Sequence, residues 1–227
     1  MGLAEGLLEL VAPTRCAGCE LPGLLLCERC SDALVRIDAA SACPRCGAPD
    51  GARHCSECDG RSFAFAAARC AGVLTHPLAR LVVLYKDGGE RRLAPVLAAM
   101  LAESLGEWTS WPQAVVGIPA SRRALLRRGF DHGALLADAL AARLDVPRVP
   151  ALARVTSGDQ RRLGREERAA NLAAALVPSP GVEMPPRVLL ADDVLTTGAT
   201  LDAAARVLLA AGASEVRACA VARACEW

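Results

Sequence analysis

Aromatic residues make up only 3% of this 227-residue chain: three Phe, three Trp and one Tyr. So few rings exclude a platform on which single-stranded bases stack in succession. Lysine is nearly missing as well. Lys86 is the one lysine, and arginine supplies the remaining basic side chains. An excess of charge of either sign is absent too. The 26 basic and 25 acidic residues leave a formal net charge of +1, which rules out nucleic-acid binding by bulk charge alone. No apolar run approaches the ~18–20 residues that span a bilayer. Met1 to Val11 holds Glu5 and Glu9 and no Lys or Arg, so the positive start of an export signal is lacking. The expectation is a cytoplasmic protein with no membrane span. Leu3, Leu7, Leu8 and Val11 lie at the spacing of a short amphipathic helix. What the chain does have is apolar bulk: 53% hydrophobic against 22% charged residues excludes disorder as a global description.

Cysteine is abundant. Eight of the eleven form four Cys-x-x-Cys pairs: Cys16/Cys19, Cys27/Cys30, Cys43/Cys46 and Cys55/Cys58. A disulfide framework would need an oxidising compartment, to which nothing in the chain points. Two cysteines three apart on a tight turn present both sulfurs to one ion, and two such turns complete a tetrahedron. Two structural Zn²⁺ ions with four thiolates each follow. Pairing can be sequential or interleaved, and His54, beside Cys55, offers a further donor. Such sites contribute on the order of 10 kcal/mol to folding, which a small segment does not collect otherwise. Residues 1–62 hold six Arg and nine acids. That is −3 before the metal, and about −7 with eight thiolates and two zinc ions. A module so charged is a poor phosphate binder, and single-stranded DNA is expected on residues 63–227 in preference to residues 1–62.

From residue 63 strand and helix signals alternate. Residues 69–75, 114–118, 148–154, 187–191 and 215–222 read as strands. Residues 76–85, 91–105, 131–144 and 200–211 read as helices, and 178–186 as a loop. Alternation of this kind predicts an α/β fold with a parallel sheet covered on both faces. Ligands of such sheets sit beyond the carboxyl ends of the strands. After the run RVLLA come Asp192, Asp193, Val194, Leu195, Thr196, Thr197, Gly198, Ala199 and Thr200. Amides at a helix start lack partners and favour an anion, threonine hydroxyls add donors, and Gly198 lets the backbone approach. The two acids suit vicinal sugar hydroxyls, directly or through Mg²⁺. Phosphate cradle plus diol acceptor describes a ribose 5-phosphate.

The segment ADDVLTTGAT resembles the phosphoribosyl pyrophosphate (PRPP) loop of type I phosphoribosyltransferases. Together with RRGFDHG, Gln160, REERAAN and LYKDGGERRLA behind a double zinc ribbon, it is similar to the ComF (competence protein F) family. The resemblance covers nearly the whole chain. It implies a zinc ribbon module over 1–62 and a phosphoribosyltransferase-like domain over 63–227. It also implies Asp192 and Asp193 at the ribose hydroxyls and Thr196 to Thr200 at the 5-phosphate. Pro119, Ala120, Ser121 and Arg122 would lie at pyrophosphate, with Mg²⁺ accompanying PRPP. Arg128 and Lys86 are the favoured phosphate contacts among Arg122, Arg123, Arg127, Arg128 and the cluster Arg161, Arg162, Arg165, Arg168. Gln160 and Asn171 read as structural hydrogen-bonders, and His132 as a cap or surface residue. Thr196 stands where 6-oxopurine salvage enzymes usually carry an acid. Threonine is a poor general base, which disfavours hypoxanthine and guanine as acceptors. The family name implies DNA uptake, with single-stranded DNA or the uptake machinery as partners. The alternative function is a non-catalytic sensor of PRPP or a nucleotide.

Overall fold

Residues 13–154 and 176–225 are described by the computed structural model. The helix expected at Leu3–Val11 and the segment with Gln160, Arg161, Arg162, Arg165, Arg168 and Asn171 lie outside them. After a short helix α1 (Glu28–Asp32), the strands β1 (Ala68–Val73), β2 (Ala114–Gly117), β5 (Arg187–Leu195) and β6 (Glu215–Arg223) form one sheet in the order β1-β6-β5-β2. Every pairing in it is parallel. A short antiparallel pair, β3 (Leu152–Arg154) and β4 (Leu176–Pro178), stands apart.

The sheet strands are almost entirely buried because both faces are covered, which is why they read as continuous apolar runs. Helices α2 (Leu78–Lys86), α3 (Leu93–Leu105) and α5 (His132–Leu144) press Leu81, Leu97, Leu101, Leu136 and Leu140 onto Val115, Leu189 and Val221. On the opposite face, helix α6 (Ala199–Ala210) lays Leu201, Ala204, Ala205 and Leu208 over Val188, Leu190 and Val216. Val35 and Ile37 cover the outer edge of β1: Ile37 N–H donates to the Ala71 carbonyl, and Val73 N–H donates to the Val35 carbonyl. The edge that would otherwise offer unpaired amides is thereby closed. No helix among the described residues is long and apolar enough to cross a membrane.

Three elements depart from the pattern read in the sequence. β5 does not stop at Ala191 but runs through both acids to Leu195, because Asp192 and Val194 stay in register with Ala220 and Ala222 of β6. Tertiary pairing here overrides the low strand preference of aspartate. β3 keeps only three residues, and Arg148 retains a single bridge to Val115. A helix α4 (Arg122–Arg128) also forms where the chain reads as an arginine-rich loop. It has no buried residue and therefore no amphipathic signature; the hydroxyl of Ser121 caps it by accepting from Ala124 N–H at 3.2 Å.

Candidate functional site

The eight paired cysteines gather in sequential sets, Cys16/Cys19/Cys27/Cys30 and Cys43/Cys46/Cys55/Cys58, with all four sulfurs of each set within 4.8 Å of one another. The interleaved alternative is excluded, and His54 belongs to neither set. Sγ–Sγ separations of 3.7 Å (Cys19–Cys27), 3.7 Å (Cys43–Cys58) and 3.5 Å (Cys46–Cys55) are far too long for disulfides. Four sulfurs at the usual Zn–S length of ~2.3 Å form a tetrahedron with edges of about 3.8 Å, so both sets fit Zn²⁺ without rearrangement. Cys70 and Cys219 are buried among sheet residues, and burial pushes the Cys70 thiol up to about 12, as expected of a structural cysteine.

The second centre lies at the carboxyl ends of β2 and β5. Helix α5 reaches it by a backbone-to-backbone approach. A Cβ on Gly133 would lie 1.9 Å from the Ile118 carbonyl oxygen, and one on Gly117 would lie 2.3 Å from the Gly133 oxygen. This contact brings His132, the first residue of α5, beside Asp193. Asp131 secures the junction by accepting hydrogen bonds from Ala134 N–H (3.1 Å) and from Ala120 N–H (3.2 Å). His132 is thus buried in the site, contrary to its reading as a cap or surface residue. Asp131, one residue earlier, does the capping.

Asp193 is 2% exposed. Lys86 Nζ lies 2.9 Å from its Oδ1 and 2.7 Å from its Oδ2, with hydrogen-bond geometry only to Oδ1. Oδ2 therefore has no well-directed donor, and His132 Nε2 stands 3.4 Å from it. The other imidazole nitrogen, Nδ1, is 3.1 Å from Arg128 Nη1. A guanidinium can only donate, so Nδ1 accepts and the proton sits on Nε2, facing the carboxylate. Burial holds this imidazole below its ordinary range, reinforced by Lys86 and Arg128 and opposed by Asp193. Arg128 also donates from Nε (3.1 Å) and Nη2 (2.9 Å) to Asp87, which takes a further bond from Arg127. The Lys86–Asp87 turn is thereby docked on the end of α4. Lys86 and Arg128, far apart in the chain, meet here through different partners: Lys86 holds Asp193, and Arg128 holds Asp87 and the far side of the His132 ring.

Asp192 points to the opposite face, as successive strand residues must. It lines an open hollow of about 180 Å³ with Val194, Leu195, Thr196, Gly198, Ala199, Thr200 and Leu201. Burial, assisted by the neighbouring Asp193, pushes its carboxyl up to about 8. Gly198 caps α6 with φ 82°, a left-handed conformation that side chains disfavour, and Thr197 Oγ1 accepts from Ala199 N–H at 3.4 Å. The first amides of this twelve-residue helix face the hollow with no partner inside the helix.

The turn Pro119–Arg122 stands beside this centre. Arg154 donates from Nε to the Pro119 carbonyl (2.7 Å); burial holds its guanidinium below the ordinary range, opposed by attraction to Asp192 and Asp131. Arg122 and Arg123 are exposed on α4. Two residues escaped the sequence reading: Arg154, which looks like the end of a strand, and Arg223, a fully buried arginine just past the run recognised as β6. A basic residue terminating an apolar strand is the only signal either carries.

Comparison with known proteins agrees with this geometry. Residues 130–226 match the family model described as Phosphoribosyl transferase domain. Competence protein F of Haemophilus influenzae is 27% identical over 206 residues, covering 86% of this chain and 90% of that protein. DNA utilization protein YhgH of Salmonella typhi is 29% identical, over 92% of this chain and 96% of its own. Competence protein ComFC of Streptococcus pneumoniae is 26% identical, over 85% and 84%. Among solved structures, a purine phosphoribosyltransferase from Pyrococcus horikoshii Ot3 gives a TM-score of 0.37 at 21% identity over 57% of this chain and 72% of that one.

Proposed function

We propose that this chain, a member of the competence protein F (ComF) family by its two four-cysteine clusters, its phosphoribosyl transferase domain and its competence-named relatives, binds PRPP and transfers its phosphoribosyl group in support of DNA uptake. The observation that carries the reading is the turn Thr196–Thr200, which opens a helix directly beyond a strand bearing two buried acids. The free amides at that helix start, with the threonine hydroxyls, take the 5-phosphate. Asp192 and Asp193 accept from the ribose hydroxyls. The undirected Oδ2 of Asp193 retains acceptor capacity for one of them.

Pyrophosphate lies toward Pro119–Arg122 on this reading. Lys86, held by Asp193 in the free protein, is one-third exposed and can turn to it, while Arg128 supplies a fixed guanidinium. The same carboxylates are the residues that would hold Mg²⁺, which would supply neutralisation of the leaving group. In the transfer, the C1–O bond to pyrophosphate breaks and its electron pair leaves with pyrophosphate. An acceptor lone pair forms the new bond to C1 across an oxocarbenium-like state. The buried acids favour the positive ribose, and the cations favour the departing anion.

A second reading has its own support. Both ring nitrogens of His132 are engaged, one with Arg128 and one facing Asp193, and Thr196 is a poor base. Neither His132 nor Thr196 is thus free to act as general base, which favours a sensor that binds PRPP without turnover. Pyrophosphate release measured with a panel of base acceptors separates the two. Transfer identifies the enzyme; saturable PRPP binding with no release identifies the sensor; no PRPP binding overturns both. The cytoplasm suits either, since both cysteine sets require reduced thiols.

A further inference from the structure

The turn assigned to the 5-phosphate does not stand on the sheet alone. It leans on the second cysteine cluster. Arg223, 2% exposed at the end of β6, directs Nη1 to the carbonyls of Leu195 (3.3 Å) and Thr196 (2.8 Å), at the entry to the turn, and to that of its own neighbour Ala224. Its Nη2 donates to Glu57 Oε2 at 3.2 Å and lies 4.0 Å from the Sγ of Cys46. Glu57 sits inside the Cys55–Cys58 knuckle, which is a short 3₁₀ turn, so its position is set when those two sulfurs close on one ion.

Further contacts run the same way. Arg61 donates to the Thr197 carbonyl at 3.3 Å. Phe63 packs against the second cysteine set and also lies under Gly198, where a Cβ would come within 2.9 Å of its ring. Ala64 N–H donates to Asp202 Oδ1 at 2.6 Å, in the first turn of α6. The first cysteine set instead leans on the start of α2, through His76 and Arg80 at Gly18 and Glu20, and among the described residues no hydrogen bond or ion pair joins it to the turn.

We infer that Arg223 is a positioning residue for the phosphate turn and takes its setting from the second metal cluster, so that loading of this one cluster controls anion affinity at the turn. The physical reason is the forked guanidinium. One planar group spans three backbone carbonyls on one side and the carboxylate and thiolate of the cluster on the other, inside a buried environment where such bonds are strong and leaving them unmade is costly. Four thiolates on one divalent ion keep that side anionic, which holds the cation in place. This inference rests on the phosphate reading for its consequence, though not for the brace itself.

The test uses full-length protein carrying two metal ions per chain. Glu57→Gln keeps the cluster and removes the charge that anchors Arg223; Arg223→Lys keeps a cation and loses the fork. Glu20→Gln, beside the first cluster, is the control. Both variants are expected to speed amide exchange over residues 196–201 about tenfold and to weaken PRPP binding by a similar factor, while Glu20→Gln changes neither. Should Arg223→Lys fail to fold, Glu57→Gln decides alone, because its side chain is partly solvent-exposed. Cys55→Ser is expected to reproduce the local loosening with one metal lost, and Cys27→Ser to lose a metal without it. Unchanged exchange over 196–201 in Glu57→Gln, or equal loosening in Glu20→Gln, overturns the inference. Exchange is read without ligand, so absence of PRPP binding in the wild type would sink the functional reading and leave the brace to be judged by exchange.

Discussion

Asp192 and Asp193 are adjacent in β5 and live in different surroundings. Asp193 is held by Lys86 and faced by His132, whereas Asp192 opens onto the hollow before α6. Asp193→Asn removes the charge that Lys86 engages and that the proposed ribose contact needs, and PRPP affinity is expected to fall at least a hundredfold by titration calorimetry. Normal binding by that variant would displace the site. Asp192 gives a pH signature. With its carboxyl pushed up to about 8 by burial and by Asp193, it is mostly protonated at neutral pH in the free protein. Sugar hydroxyls or a cation favour the ionised form, so PRPP binding releases a proton and tightens as pH rises toward 8. Calorimetry in buffers of differing ionisation heat reads the proton directly. The stability effect has the same origin. A folded pKa above the unfolded value of 3.8 gives a contribution that is full below that value and lost as pH rises through 8. Asp192→Asn is therefore expected to raise Tm at about pH 8.5 and to leave it unchanged near pH 4. His132, with its proton on Nε2, is expected to titrate below the ordinary imidazole range because it is buried, visible in its ring ¹⁵N shifts followed against pH.

At the scale of elements, the junction between β2 and α5 decides whether the site exists. Gly117 and Gly133 let the helix start touch the strand end, and the RGFDHG segment was legible as a motif without that reason being visible. Gly133→Ala drives a methyl group into the Ile118 carbonyl. It is expected to destabilise the fold by about 3 kcal/mol, read as a lower urea midpoint at unchanged m. Helix α4 illustrates the opposite case. An element with no buried face leaves no periodicity to read, and it is held by its Ser121 cap and by polar contacts, through Arg127 and Arg128 to Asp87, from Arg128 to His132 and from Arg91 to Gly129. Its exposed Arg122 and Arg123 are free to meet phosphates of nucleic acid. Replacing both with Ala should reduce the slope of log affinity against log salt for single-stranded DNA by about 1.4, with little effect on stability.

For the whole molecule, the metal clusters and the sheet form one structure. Residues 35–37 close the edge of β1, and Arg223, Arg61 and Phe63 tie the second cluster to the turn before α6. Each cluster contributes on the order of 10 kcal/mol, comparable with the net stability of a whole domain. Metal analysis should give two zinc ions per chain, and chelation should lower Tm by well over ten degrees; a chelator-insensitive Tm would refute the structural role. Spacing alone determined the four-thiolate chemistry, because a Cys-x-x-Cys turn presents its sulfurs whatever the rest of the chain does. Local pattern likewise determined the alternating strands and helices and the helix start that follows Gly198, since periodicity and unsatisfied helix-start amides are properties of a few consecutive residues. Sequential pairing of the cysteines, the meeting of Lys86 and His132 at Asp193 with Arg128 behind the imidazole, and the burial of Arg223 between cluster and turn were decided only by the tertiary structure. They join residues separated by up to 177 positions, and which distant charges share a low-dielectric interior depends on how the layers pack, a quantity no local pattern contains.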